Sequence, residues 1–309
     1  MHIAIIGTGG VGGYFGGRLA QAGHQVSFLA RGKHLEAIRQ NGLRVQSLKE
    51  RFTIMPYQTT DTIEEMEPAD LILFCTKSWQ IDDIAPRLLP LFKESTLILP
   101  LQNGADNAER IQKYMDPKHV LGGLCRIYSK IEAPGCIHHF AYPPEVTFGK
   151  LPQTMNSGVS ELQNVFKNAN IASVYTDDIQ AAIWTKFMFI ATVSGLGALT
   201  GVSIGQMYAT EETCCLLEQT ATEIYMIAKE KQINLPKDSV EKCMHFISKQ
   251  PYEATASTQR DILEGRPSEL HNFNGYIVRE GERLDVLTPI NAFTYYSLLP
   301  KEKIARGQL

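Results

Sequence analysis

The sequence has no CxxC pair among its six cysteines, Cys75, Cys125, Cys136, Cys214, Cys215 and Cys243. That argues against a zinc ribbon or a disulfide scaffold and for reduced thiols in a cytoplasmic protein. No basic stretch opens the chain, and the first apolar run stops at Gly7, so no signal peptide is read there. A long uninterrupted apolar run is also missing. The most apolar stretch, 187–199, is broken by Thr192, Ser194, Gly195 and Gly197 and reads as a buried core helix, with no membrane span expected. Charge of one sign is not in excess: 30 Lys and Arg against 33 Asp and Glu leave −3, which gives no electrostatic reason to bind nucleic acid or an anionic membrane.

What remains is ordinary globular chemistry. Hydrophobic residues make up 44% and charged ones 20% of 309 residues, a length that predicts about two domains with cores needing no metal or disulfide. In the first half, strand patterns at 2–6, 26–30, 71–75 and 96–99 alternate with helical patterns at 11–22, 33–41, 81–92 and 106–114. This alternation predicts an α/β fold, a Rossmann-like doubly wound sheet with helices on both faces. Runs at 43–46 and 52–55 read as an added hairpin. Further strands are expected at 123–131, 136–140, 146–149 and 172–175, with a helix at 160–168. After Asp177 only helices are predicted, at 179–199, 211–231, 237–248 and 269–281, with a last one after Pro289. The expected domains are therefore 1–176, binding a dinucleotide, and 177–309, all-α and carrying substrate chemistry; a ligand is expected where two such domains meet.

The strongest motif is Gly7-Thr8-Gly9-Gly10-Val11-Gly12, directly after the first strand and before an amphipathic helix. Its glycines suit a tight turn, a close approach to pyrophosphate and helix–strand packing, with the pyrophosphate on the helix amides. About 20 residues on, an NAD site carries an acid for the ribose 2′-hydroxyl. This chain instead reads Ala30-Arg31-Gly32-Lys33-His34. Arg31, assisted by Lys33 or His34, suits the 2′-phosphate, so the expected cofactor is NADPH/NADP+.

Two more segments fall at strand ends, Cys75-Thr76-Lys77-Ser78-Trp79-Gln80 and Gln102-Asn103-Gly104. Lys77 can meet a phosphate or carboxylate and Asn103 can bond beside a nicotinamide; equally, either can be a helix cap or a turn. Lys186 is a lone cation in the apolar run Trp184-Thr185-Lys186-Phe187. It reads as a desolvated proton donor or as a lysine whose amine reaches back to water. Glu269 opens a predicted helix, where a carboxylate is favoured by the dipole whatever its function. His138-His139 near Cys136 raises a metal site, but adjacent strand residues point to opposite faces, so no metal is expected.

Together these pieces resemble the ketopantoate reductases (2-dehydropantoate 2-reductases) over essentially the whole length. The matching residues are the GTGGVG run, Arg31, Thr76 to Gln80, Gln102-Asn103-Gly104, Trp184 to Phe187, Arg266-Pro267-Ser268-Glu269 leading to Asn274-Gly275, and Thr288-Pro289-Ile290-Asn291. The resemblance implies NADPH-dependent reduction of a 2-oxo acid to a 2-hydroxy acid, as in pantothenate and coenzyme A synthesis, with a homodimer plausible. It implies that Lys186 protonates the carbonyl oxygen, that Glu269 holds the substrate hydroxyl, that Asn103 lies near nicotinamide and substrate, and that Lys77 lies on the cofactor side. Ser194 and Ser257 join Lys186 and Glu269 as expected substrate contacts. The sequence departs from the family pattern where asparagines are usual, at Ile190 and Ser194, and where a carboxylate-binding serine aligns with Ala256, beside Ser257. An isoleucine replaces none of an amide's hydrogen bonds, so a paralogue acting on a less polar carbonyl compound stands beside the ketopantoate reading. A dinucleotide sensor without turnover is the alternative of another class, disfavoured by the joint presence of Lys186 and Glu269.

Overall fold

The run His2–Ile6 is buried at every position, as expected of a strand covered on both faces, and forms β1. The computed structural model describes residues 1–48, 50–155 and 158–309, and the chain divides into two units, Met1–Ile179 and Gln180–Leu309. After β1 the first unit holds α1 (Gly10–Gln21), β2 (Gln25–Leu29), α2 (Gly32–Asn41), β3 (Leu43–Gln46), β4 (Arg51–Ile54), β5 (Gln58–Thr60), β6 (Ala69–Phe74), α3 (Ile81–Ile84), β7 (Phe92–Pro100), α4 (Asn107–Gln112), β8 (Leu121–Ala133), β9 (Cys136–Lys150), α5 (Val159–Asn168) and β10 (Ala172–Tyr175). One sheet is parallel in the order β5-β2-β1-β6-β7. A second sheet runs β10-β9-β3-β4, with β8 antiparallel to β9.

α1 touches strands of both sheets, β1 and β2 on one side and β3, β8 and β9 on the other. Its glycines permit this. A Cβ at Gly16 would lie 2.6 Å from the Phe28 ring, and one at Gly13 2.6 Å from Ile137. The second sheet therefore shares one hydrophobic core with the first, from Ile3 and Phe28 to Ile137 and Phe148.

Three expectations for this unit need correcting. The helix read at 81–92 ends at Ile84 and continues as 3₁₀ turns over Ala85–Leu91, because Pro86 and Pro90 have no amide hydrogen to give to the preceding turn. The strands read at 136–140 and 146–149 are one strand, β9. Tyr142 at φ +55° and the Pro143-Pro144 pair are absorbed where the register with β8 slips. The edge strand β5, three residues long, had not been expected.

The second unit continues α6 (Ile179–Thr200) and holds α7 (Ile204–Ala209), α8 (Glu211–Glu230), α9 (Ser239–Ser248), α10 (Ser257–Leu263), α11 (Asn274–Leu284) and α12 (Pro289–Ala305). α6 is longer than the apolar run read from sequence. By length and composition it could cross a bilayer, although most of it is buried within the chain. α7 and α10 had not been expected. The helix read at 269–281 starts only at Asn274: Phe273 has φ −103° and ψ −94°, outside helical geometry, and the Glu269 carbonyl instead accepts turn bonds from the Asn272 and Phe273 amides at 3.0 Å each. Glu269 is thus not a first-turn carboxylate. α12 begins at Pro289, and its first amides find a carboxylate in another helix: Glu223 of α8 accepts from Ile290 N (2.8 Å) and from Asn291 N (2.9 Å) and Nδ2 (2.7 Å).

Candidate functional site

In the first unit, strand order reverses at β1, with β2 on one side and β6 on the other. A reversal of this kind opens a crevice at the carboxyl ends of the strands. The loops that leave those ends carry the residues singled out from sequence: Gly7–Gly9 after β1, Arg31 after β2, Lys77 after β6 and Asn103 after β7.

Each glycine of the motif, in the loop or in the first turn of α1, has a distinct job. Gly7 sits at φ +102°, and a Cβ there would lie 2.8 Å from Thr76 Cγ2 and 2.9 Å from Thr76 N, so only glycine lets the β1 and β6 loops touch. A Cβ at Gly12 would lie 2.1 Å from the Gly7 carbonyl oxygen, which fixes α1 close against its own entry turn. At Gly9 nothing lies within 4 Å of the Cβ position, leaving open space before the first amides of α1. At Gly10 the backbone of Ser129 in β8 is 2.5 Å from the Cβ position. The Thr8 amide (3.1 Å) and hydroxyl (2.8 Å) both donate to Leu29 O, binding the loop to the end of β2. Val11 packs partly buried on the shared core.

Arg31 is exposed at the N-cap of α2, and no acid precedes it on β2. Lys33 is exposed nearby. His34 does not join them. Its Nδ1 accepts the Gly135 amide at 3.0 Å, and burial holds its pKa below the ordinary value against the pull of the Thr8 carbonyl. Its other nitrogen, Nε2, is buried with no hydrogen-bond partner, so the ring is turned into the fold and does not stand exposed with Arg31 and Lys33.

Lys77 is half-buried. Its amide donates to Gln80 Oε1 (3.3 Å) and its carbonyl accepts from Gln80 N (3.0 Å), so the residue caps the turn that follows β6. Asn103 is half-buried before Gly104 at φ +138°. Its neighbour Gln102, named in the motif and given no role, is buried with neither amide atom hydrogen-bonded. Such a group ordinarily has a partner. Open space at Gly9, an exposed Arg31 and the orphaned Gln102 amide all fit a dinucleotide.

His138 and His139 do point apart: His138 Nδ1 pairs with Glu132 at 3.3 Å, while buried His139 contacts Ser47 Oγ at 2.8 Å and donates to Tyr142 O at 2.6 Å. Among the described residues no cluster of three His, Cys, Asp or Glu side chains could hold a metal ion.

In the second unit, Lys186 is the one charged residue of α6 and is half-buried. Beside it Trp184 and Phe187, both fully buried, pack against Phe273 and Tyr276, with Phe187 6.0 Å from Phe273 and 5.9 Å from Tyr276 between ring centroids. Because Phe273 donates its amide to Glu269 O, this aromatic cluster joins the turn of α6 that carries Lys186 to the segment that carries Glu269. Glu269 is 3% exposed. One turn beyond Lys186, Ile190 is half-buried on the same helix face. Ser194, another turn on, is fully buried and its hydroxyl has no partner. Gly195 lets Asn274 reach α6, since a Cβ there would lie 2.4 Å from Asn274 Oδ1. Ser257 is half-buried at the start of α10, after Ala256, whose amide donates to Gln259 Oε1 at 3.3 Å.

Two family models match in tandem: "Ketopantoate reductase PanE/ApbA" over residues 3–153 and its C-terminal counterpart over 178–302. The chain belongs to the ketopantoate reductase family. It is therefore a member of an oxidoreductase family that works with a nicotinamide dinucleotide. A 2-dehydropantoate 2-reductase structure from Porphyromonas gingivalis W83 is 32% identical with a TM-score of 0.84, covering 97% of this chain and 99% of that one. The uncharacterized oxidoreductase YkpB of Bacillus subtilis is 26% identical over 298 residues, 96% of this chain and 98% of the relative. The fold is shared more widely. A D-mandelate dehydrogenase whose structure holds NADH and anilino(oxo)acetate is 22% identical with a TM-score of 0.90, covering 99% of this chain and all of that one.

Proposed function

We propose that this member of the ketopantoate reductase family reduces a 2-oxo acid with NADPH, and that 2-dehydropantoate (ketopantoate) is the substrate. The observation that carries the reading is Lys186, the only charge on α6, seated beside the aromatic cluster that also holds the Glu269 segment. NADPH, when bound, supplies the hydride. The loop Gly7, Thr8, Gly9, Gly10, Val11 and Gly12 receives the pyrophosphate, Arg31 grips the 2′-phosphate, and Lys77 and Asn103 line the cofactor side. Lys186 holds a proton at Nζ and delivers it to the carbonyl oxygen as negative charge builds there. Glu269 accepts a hydrogen bond from the substrate hydroxyl, while Ser257 and Ser194 complete the polar contacts. The same reading makes the protein a cytoplasmic homodimer in pantothenate and coenzyme A synthesis.

A second reading rests on Ile190. An apolar side chain one turn from the proton donor favours a 2-oxo acid with a less polar tail. The test is NADPH oxidation with ketopantoate and a panel of other 2-oxo acids, run with the parent and Lys186→Ala. Turnover of ketopantoate at about 10⁴ M⁻¹s⁻¹ or above supports the first substrate. Turnover confined to apolar 2-oxo acids supports the second. NADPH binding with no turnover anywhere refutes both and leaves a dinucleotide sensor.

A further inference from the structure

Glu269 lies in an irregular stretch between α10 and α11, where no helix or strand ladder fixes the backbone. The stretch is fixed instead by a buried carboxylate from α12. Glu302, 3% exposed, accepts the Ser268 amide at Oε1 (3.0 Å) and the Ser268 hydroxyl at Oε2 (2.5 Å). Arg306, the C-cap of α12, donates Nε to Glu302 Oε1 (2.7 Å) and Nη2 to the Ser268 carbonyl (2.9 Å). The Ser268 hydroxyl in turn accepts the Leu270 amide at 3.2 Å. Upstream, Arg266 is held by Asp261, through its guanidinium (2.8 Å) and through its amide on the Asp261 carbonyl (2.8 Å). Both polar ends of Ser268 and its side chain are thus clamped by α12, and the next residue is Glu269.

We propose that Glu302 is a positioning residue: by gripping Ser268 from three sides together with Arg306, it sets the Glu269 carboxyl for the substrate. This rests on the role given to Glu269 above. A buried charge matched on both oxygens is costly to disturb, which suits a device that has to keep a loop residue within a fraction of an ångström of one geometry. In Glu302→Gln an amide NH₂ replaces one acceptor oxygen and meets a fixed donor either way, the Arg306 Nε–H in place of Oε1 or the Ser268 amide in place of Oε2.

The test compares the parent, Glu302→Gln, Glu269→Gln and the double variant in steady-state reduction of the best 2-oxo acid. Glu302→Gln is expected to raise KM for the 2-oxo acid and lower kcat/KM roughly 10- to 100-fold, with KM for NADPH unchanged. In the Glu269→Gln background the same substitution is expected to change kcat/KM less than twofold, because the residue it positions has already lost its function. A merely structural loss would lower kcat through the amount of active protein, leave both KM values alone and multiply with the Glu269→Gln effect. Those results overturn the proposal. Should Glu302→Gln fail to fold, Ser268→Ala removes one bond of the clamp and is read the same way. A Glu269→Gln variant as active as the parent overturns the role of Glu269 and this inference with it. A crippled Glu269→Gln beside an unaffected Glu302→Gln overturns the positioning alone.

Discussion

Gly9 and Gly12, three residues apart at the N-cap and in the first turn of α1, are expected to fail in opposite ways when each is replaced by alanine. At Gly12 the new Cβ would sit 2.1 Å from Gly7 O and 2.9 Å from Ile5 Cγ2, so α1 has to shift off β1. Overpacking of this kind costs about 1–3 kcal/mol, and contact with rigid backbone places it at the upper end. The helix-propensity gain of about 1 kcal/mol for alanine over glycine offsets only part of that. With roughly 2–4 °C of Tm per kcal/mol for a unit of this size, Gly12→Ala is expected to melt several degrees lower. Gly9 is different. Its φ of −82° and ψ of −162° suit any residue, and its Cβ position is open, so Gly9→Ala is expected to fold with stability within about 1 kcal/mol of the parent. What the methyl group fills is the approach to the first amides of α1. Losing one charged hydrogen bond there costs about 1.5–3 kcal/mol, a 10- to 100-fold weaker NADPH dissociation constant. Thermal melts without ligand and a fluorescence titration with NADPH separate the two effects. Parental NADPH affinity in Gly9→Ala would refute the loop as the pyrophosphate cradle, and an unchanged melt in Gly12→Ala would refute the packing argument.

Replacing Arg31 by alanine is expected to weaken NADPH binding 10- to 100-fold and leave NADH nearly unchanged, since only the 2′-phosphate loses its partner; an equal loss for both nucleotides in parallel titrations would contradict the assignment. Lys186→Ala is expected to lower kcat by a factor of about 10² to 10⁴ while NADPH affinity holds, and retention of turnover would remove Lys186 as the proton donor. Because burial holds the His34 pKa below its ordinary value, the folded chain refuses a proton that the unfolded chain takes up as pH falls below about 6.5. The stability it contributes is complete above that pH and lost below it, so Tm between pH 5 and 7.5 is expected to fall more steeply for the parent than for His34→Gln. Burial pushes the Cys243 thiol up to about 12, whereas Cys215 is exposed, so maleimide at pH 8 is expected to label Cys215 in the native protein and to reach Cys243 only on unfolding. Early labelling of Cys243 would contradict its burial.

Much of the first unit was legible because its information is local. A strand, a glycine turn, a helix and an arginine after the next strand are consecutive in the chain, and the same holds for the hairpin β3–β4 and for β10. Other signals were present and overlooked. Pro86 and Pro90 rule out a continuous helix at 81–92, and Ser203 with Gln206 forms the capping box that starts α7. The start of α11 had no local signal. Glu269 precedes an amphipathic run and looks like a first-turn residue, but its backbone is drawn elsewhere by Glu302, 34 positions beyond Ser268. Likewise the partner of the α12 amides, Glu223, lies 67 positions before Ile290. Nor does any window reveal that α1 is covered on both sides by sheets, although five glycines in twelve residues of helix, at up to about 1 kcal/mol each, demand a reason.

That reason divides the two units by the way each holds its candidate residues. The first unit works by removing atoms: at Gly7, Gly12, Gly13 and Gly16 a Cβ would collide, and the helix propensity given up is returned as close approach of α1 to two sheets and to the β6 loop. The second unit works by adding buried charge: Glu223 and Glu302 reach across from their own helices to satisfy amides that no ladder satisfies, at the start of α12 and just before Glu269. The two devices have opposite tolerances. A packed glycine fails when anything is added, and a neighbouring small residue can restore it. A clamping carboxylate fails when anything is taken away, because its donors are then left buried and unpaired at about 1–3 kcal/mol each. Variation in substrate preference is therefore cheapest at positions that belong to neither device. Ile190 is such a position, half-buried one turn from Lys186 and outside both the aromatic cluster and the carboxylate clamps.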